Sequence, residues 1–156
     1  MGSGKSYIGK KICEKINLSH IDLDDYIAKH EHKSISNIFF EDGEMYFREI
    51  EKQYLSKIIN KDNFLLSTGG GTPIYNNNLD LMNIHGLTIY LRYSHKTLYN
   101  RLKNSRDNRP LIKDLSNSEL KQFIKQELDK REDTYNKAKV VIQEDTSINK
   151  IIRLLG

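Results

Sequence analysis

The chain is predicted to fold as an α/β sandwich around a parallel sheet. Short apolar runs alternate along it with segments of helical periodicity, which is the pattern of strand–helix–strand units. Three segments rich in glycine or acid fall where the strands of such a sheet would end: Gly2-Ser3-Gly4-Lys5-Ser6, Asp22-Leu23-Asp24 and Gly69-Gly70-Gly71. Parallel sheets bind ligands beyond those ends, so the three segments are expected to converge.

Lys5 to about Ile16 reads as a helix, because Ile8, Ile12 and Ile16 recur every four residues. Leu18 to Asp24 reads as a strand ending in acid. Ser34 to Asp42 is a short helix capped by Ser34 and broken by Gly43. A second helix, from Glu44 to Ile59, carries Phe47, Ile50, Tyr54, Leu55 and Ile58. Asn63 to Ser67 is a short buried strand that runs into the triple glycine. Leu87–Leu91 and Lys139–Gln143 are further strands, and Ile148 to Leu155 is a closing helix. Between them, Ser116 and Glu119 have the spacing of a capping box. That box opens a helix with Leu120, Phe123, Ile124 and Leu128 as its apolar stripe.

Composition bounds the class. The 156 residues are expected to form one domain, 1–156, with 29% charged and 37% hydrophobic residues. No apolar run approaches the roughly 20 residues of a membrane helix. No signal peptide is visible, and the lone Cys13 excludes an internal disulfide framework. A cytoplasmic protein that keeps off membranes is therefore expected, with Cys13 in a packing role. The net charge is +4 and the pI about 9.0, but lysines are spread along the chain. This argues against nucleic acid as the main ligand and suits small anionic substrates. Five histidines show no metal-ligand spacing, so no zinc is expected.

The chemistry begins at the first residues. Gly2-Ser3-Gly4-Lys5-Ser6 reads as the back half of G-x-x-x-x-G-K-[ST], the loop whose backbone N–H groups wrap nucleotide phosphates. Its lysine reaches the β/γ-phosphates and its serine hydroxyl takes Mg²⁺. Glycines at 2 and 4 allow close backbone approach and positive φ. Phosphoryl transfer is the chemistry that follows. The pattern's first glycine and the strand that feeds it would precede Met1, so a missing beginning is expected.

Asp22 and Asp24, two apart on a strand, would point to one side, where Mg²⁺ or a hydroxyl network would offset their repulsion. A capping or turn role, with Asp25 as a further cap, is the alternative. Three consecutive glycines before Thr72-Pro73 favour close approach of a ligand to backbone. Asn104 to Lys113, with Arg106, Arg109 and Pro110, is either a solvated loop or a lid that brings an arginine to the transferred phosphate. Arg131 follows Leu128 by three residues and so continues the apolar stripe. A cation there needs an anion, either Glu127 or a substrate carboxylate. Arg48, one turn after Gly43, is expected to pair with Glu44 or Glu51.

Taken together the segments resemble shikimate kinase. The resemblance rests on Gly2-Ser3-Gly4-Lys5-Ser6 with Gly9, and on Asp22-Leu23-Asp24. It continues through Ile38-Phe39, Asp42-Gly43-Glu44, Phe47-Arg48 and Glu51 to Gly69-Gly70-Gly71, Arg109-Pro110-Leu111, and Arg131 followed by Tyr135. It covers nearly the whole chain, and order and spacing together make it specific. It implies a P-loop nucleoside-triphosphate hydrolase-like three-layer sandwich. A helical substrate-binding segment would span about 24–60 and a mobile lid about 104–116.

The reaction implied is ATP + shikimate → ADP + 3-phosphoshikimate, on the way to chorismate and the aromatic amino acids, with Mg²⁺ as cofactor and a monomer as the working unit. Lys5, Asp24 and Arg109 would be the catalytic residues. Gly2, Ser3, Gly4, Lys5, Ser6, Tyr7, Arg101 and Arg109 would bind ATP, Arg101 flanking the adenine. Ser6 would take the metal, with Asp22 holding a metal-bound water. Arg48 and Arg131 would clamp the substrate carboxylate. Gly69, Gly70 and Gly71 would line the substrate, Gly70 and Gly71 through their N–H groups, and Phe39 and Phe47 would shape the pocket.

Two departures from the family pattern stand out. Tyr7 replaces a small hydroxyl residue, and the central first strand is absent. Without that strand two flanking strands would keep unpaired edges; about ten residues would supply it. The alternatives are another small-metabolite kinase, such as a gluconate kinase, and a truncated, non-catalytic relative.

Overall fold

A computed structural model describes residues 2–105 and 111–155. Among these residues the chain runs α1 (Lys5–Ile16), β1 (Ser19–Asp22), α2 (Leu23–Glu31), α3 (Ile35–Glu41), α4 (Gly43–Ile58), β2 (Phe64–Ser67) and α5 (Asn78–His85). It continues through β3 (Ile89–Arg92), α6 (His95–Lys103), α7 (Asn117–Asp129), α8 (Glu132–Tyr135), β4 (Val140–Gln143) and α9 (Ile148–Arg153). Strands and helices alternate, and both strand pairings are parallel: Ser19 lies opposite Phe64 in one, Ile89 opposite Val140 in the other. The two ladders are separate, and among the described residues no strand joins β2 to β3. Among the described residues each two-stranded ladder therefore keeps edges that no further strand pairs.

Three apolar clusters hold the elements. Ile12 of α1, Ile142 of β4 and Ile151 of α9 form one, which also receives Leu65 from β2 and Ile89 and Leu91 from β3. Both half-sheets thus pack on a common core. Leu23, Ile27, Ile38, Phe47, Ile50, Leu55 and Ile58 form a second under α2, α3 and α4. At about 1.5–3 kcal/mol for each large aliphatic side chain removed from water, this cluster makes the three helices a firm platform. Leu98, Leu102, Ile112, Leu120 and Ile124 unite α6 and α7 in the third.

Local signals account for most boundaries. Ser34 caps α3, its Oγ accepting from the Asn37 N–H at 3.1 Å. Ser116 and Glu119 complete the capping box reciprocally, at 3.3 and 2.7 Å. Gly43, at φ 84, separates α3 from α4.

The run Leu18–Asp24 is shorter as a strand than its sequence suggests. β1 stops at Asp22, whose Oδ1 accepts from the Asp24 N–H at 3.1 Å and caps α2. Asp24 therefore sits in the first turn of a helix and does not share a strand face with Asp22. The stripe of α7 also ends before Arg131: the Arg131 N–H closes a tight turn onto the Leu128 carbonyl at 2.9 Å, and Arg131 becomes the N-cap of α8. No described helix is long and apolar enough to cross a membrane.

Candidate active site

The glycine loop meets α1 in the geometry its composition allows. Gly2 and Gly4 have φ of 76 and 77, and Gly4 is the N-cap of α1 without any side-chain capping bond. The first-turn N–H groups of a twelve-residue helix are thus free of a side-chain cap beside Lys5 and Ser6, an arrangement that favours an anion. Gly9, one turn on, packs α1 closely against β1 and β2: a β-carbon there would stand 2.9 Å from His20 Nε2 and 3.0 Å from a Leu65 methyl. Arg101, from α6, donates to the Ser3 carbonyl at 3.0 Å while its guanidinium lies over the Tyr93 ring. Tyr7 is 66% exposed.

Ser6 and Asp22 come together at the strand end. The Ser6 hydroxyl donates to Asp22 Oδ2 at 2.5 Å. A hydroxyl and a carboxylate side by side are hard oxygen donors of the kind Mg²⁺ takes. Among the described residues no cluster of three or more His, Cys, Asp or Glu forms a metal cage. The donor set thus fits a cation shared with phosphate and water.

Asp24 stands next to the loop and next to the triple glycine. Burial holds its carboxyl above the usual carboxylate range, against the pull of the Lys5 ammonium, and Asp22 and Glu51 add to the rise. A β-carbon on Gly69 would lie 3.3 Å from Asp24 Oδ1, so a bare backbone is what lets the two meet. The same holds more severely at Gly71, where a β-carbon would be 2.5 Å from an Arg48 guanidinium nitrogen. Gly69 and Gly71 therefore serve close approach to charged side chains on the two flanks.

Arg48 projects from α4 into an aromatic and acidic cradle. Its guanidinium packs on Tyr75, Phe47 and Phe39, at 4.2, 5.1 and 5.9 Å from the ring centroids. The Phe39 and Phe47 rings lie 4.6 Å apart. Arg48 donates to Glu51 Oε2 at 2.9 Å and to Glu44 Oε1 at 3.0 Å, so both expected partners are used. Glu51 is fully buried, and its other oxygen accepts from the Thr72 hydroxyl at 2.7 Å. The Thr72 carbonyl in turn accepts from buried Asn78 at 3.0 Å. A chain of buried polar groups thus ties the arginine to the loop that follows the glycines.

Arg131 is paired with Glu127, one turn earlier on α7, as the simpler of the two sequence readings has it. Its charge also reaches Glu44, whose carboxyl is held below the usual carboxylate range first by its hydrogen bond to Arg48 and more weakly by Arg131. Tyr135, at the end of α8, donates its hydroxyl to the Gly70 carbonyl at 2.6 Å. Arg109, with Arg106 and Pro110, lies outside the described residues.

The structure thus brings together the glycine loop, Lys5, Ser6, Asp22, Asp24, Arg48, Phe39, Phe47 and the triple glycine. Thr72, Asn78 and Tyr75 carry no sequence signal for this site. Each acts across a long separation in the chain, where periodicity and caps are silent.

The shikimate kinase family model matches residues 1–155. A shikimate kinase of Azobacteroides pseudotrichonymphae is 48% identical over 142 residues, which cover 90% of this chain and 84% of that protein. The crystal structure of shikimate kinase from Bacteroides thetaiotaomicron superposes with a TM-score of 0.92 at 35% identity, covering 99% of this chain and 91% of that one. The shikimate kinase of Acinetobacter baumannii, solved in complex with shikimate, gives a TM-score of 0.85 at 25% identity, covering 99% of this chain and 85% of that one. With a family match along almost its full length and the loop, carboxylates, arginine and glycines in one site, the chain belongs to the shikimate kinase family.

Proposed function

We propose that the site works as an ATP-dependent shikimate kinase with its residues in the following roles. The activity is that of the family: ATP-dependent phosphorylation of shikimate at its 3-hydroxyl, a step of aromatic amino acid biosynthesis. The Gly2–Ser6 loop and the N-terminus of α1 receive the phosphates, and Lys5 neutralises charge between the β- and γ-positions. The Ser6 hydroxyl and, through water, Asp22 would hold Mg²⁺, which would offset charge on the phosphate oxygens. Asp24 accepts a hydrogen bond from the attacking 3-hydroxyl. The hydroxyl oxygen bonds to the γ-phosphorus, the bond from that phosphorus to the β,γ-bridging oxygen breaks, and the proton passes to the Asp24 carboxylate.

Arg48 and Arg131 hold the substrate carboxylate, for which a planar guanidinium is well matched. Gly70 and Gly71 give backbone N–H groups to substrate oxygens, and Phe39 and Phe47 wall the ring. Arg109, which lies outside the described residues, is assigned to the γ-phosphate on the strength of its motif alone, and Arg101 borders the nucleotide. The enzyme acts as a cytoplasmic monomer on two small molecules. Phosphoryl transfer asks mainly for positioning and charge neutralisation, and the residue set supplies both.

The observation that carries this reading is the meeting of Asp24 and Arg48 on either flank of the same three glycines. It sets a base beside Gly69 and a carboxylate clamp beside Gly71. Calorimetry on Arg131→Ala tests it: shikimate binding is expected to fall by at least about tenfold with ATP binding unchanged, since a charged hydrogen bond is worth about 1.5–3 kcal/mol. Unaltered shikimate affinity would overturn the clamp.

A further inference from the structure

We propose that Tyr135 is a positioning residue for shikimate, aiming the Gly71 N–H at the substrate by anchoring the Gly70 carbonyl from behind. The inference rests on the reading of Gly71 as a substrate contact.

The geometry is that of a single peptide plane. The Gly70 carbonyl and the Gly71 N–H belong to the same peptide group, and in a trans peptide they point in opposite directions. No cis peptide occurs among the described residues. The Tyr135 hydroxyl donates to the Gly70 oxygen at 2.6 Å, so the Gly71 N–H is directed away from Tyr135. It has no protein acceptor among the described residues, whereas the neighbouring Thr72 and Ile74 N–H groups close turns onto Gly69 and Gly71. Gly71 lies against the Arg48 guanidinium. The unused donor is therefore held beside the carboxylate clamp.

A glycine-rich segment has no side chains with which to fix such a plane, and its conformational freedom is the largest of any sequence. One strong external hydrogen bond is the economical way to remove that freedom. Tyr135 is itself held firmly. Its ring packs on Tyr90 of β3, with centroids 5.0 Å apart. Burial pushes its phenol up, with Arg131 opposing, so it remains a neutral donor at physiological pH. Its own N–H bonds to the Arg131 carbonyl at 2.9 Å across one turn of α8. The turn that carries the clamp arginine thus also carries the hydroxyl that sets the loop, and a shift of one moves the other.

Tyr135→Phe removes one oxygen and keeps the ring. The expected result in steady-state kinetics is a rise in shikimate KM of about tenfold, a KM for ATP within about twofold of the parent, and a smaller effect on kcat. A purely structural role would move both KM values and the melting temperature together. Parent-like KM for shikimate in a folded Tyr135→Phe protein overturns the proposal. If the parent enzyme itself shows no shikimate-dependent turnover, the underlying functional reading fails instead. A second readout needs no variant: in the unaltered protein labelled with ¹⁵N-glycine, saturating shikimate is expected to shift the Gly71 amide resonance. A Gly71 amide unmoved by shikimate also overturns it.

Discussion

Glu51→Gln should destabilise the protein by more than any surface substitution, because it discharges a fully buried carboxylate while leaving its cation in place. Both side chains are sheltered: 1% of the Glu51 side chain and 15% of the Arg48 side chain are exposed. Breaking a wholly buried ion pair by removing one partner costs about 3–5 kcal/mol. Two features reduce that here. Glutamine keeps the shape and can still accept from Thr72, and Arg48 retains Glu44 at 3.0 Å. A net loss of about 2 kcal/mol follows.

For a domain of this size 1 kcal/mol corresponds to about 2–4 °C, so the melting temperature should fall by about 4–8 °C. The cause can be isolated by adding Arg48→Met, which removes the stranded guanidinium and replaces it with an apolar chain. If the cost is the uncompensated cation, the double variant melts above Glu51→Gln alone, and the cycle is strongly non-additive. Thermal unfolding followed by circular dichroism is the assay. A Glu51→Gln protein melting within about 1 °C of the parent, or losses that add in the double variant, would refute the buried-network reasoning.

Other perturbations probe the remaining parts. Lys5→Ala should lower kcat by at least about 10³-fold with the fold retained, since it deletes the positive charge nearest the transferred group; near-parental kinetics would refute the loop assignment. Asp24→Asn should abolish turnover yet raise the melting temperature. The Asp24 carboxyl is shifted upward in the fold, chiefly by burial, so stability is present below its unfolded value and lost as pH rises through its folded one. The gap between variant and parent should therefore be widest at neutral pH and close in acid. For the same reason kcat/KM should fall as pH drops through a value above the ordinary carboxylate range; a gap independent of pH would contradict the burial of this group. Gly9→Ala should cost about 1–3 kcal/mol in urea unfolding, because the added carbon meets His20 and Leu65. Glu44→Gln should lower shikimate KM by about twofold, since Glu44 occupies Arg48 through an exposed pair of small energy that substrate must displace; a raised KM would show that Glu44 helps binding.

What could be read from sequence was local. The helix at Lys5 follows from isoleucines at every fourth position, and the one at Asn117 from the Ser116–Glu119 capping box. Each rests on contacts within one or two turns. Asp22 was ambiguous because an acidic residue ends a strand and caps a helix equally well, and the structure uses both roles. Periodicity puts Arg131 on the α7 stripe because three-residue spacing does not reveal that the backbone turns sharply after Leu128. No cap or periodicity marks α5: its asparagine-rich entrance has the composition of a loop, yet Asn78 is buried and bonded to Thr72. The Glu51–Thr72 and Tyr135–Gly70 bonds span 21 and 65 residues. Such contacts exist only once the layers are assembled, and for the same reason Gly9 shows its purpose only against β1 and β2.

The central claim is that these residues form a site that phosphorylates shikimate. The most direct measurement is ADP release, coupled to NADH oxidation, with this chain, Mg²⁺-ATP and either shikimate or gluconate. Turnover that depends on shikimate, is absent with gluconate, and is lost in Arg48→Ala is the predicted result. Equal turnover with gluconate, or shikimate-dependent turnover that survives Arg48→Ala, would contradict the account.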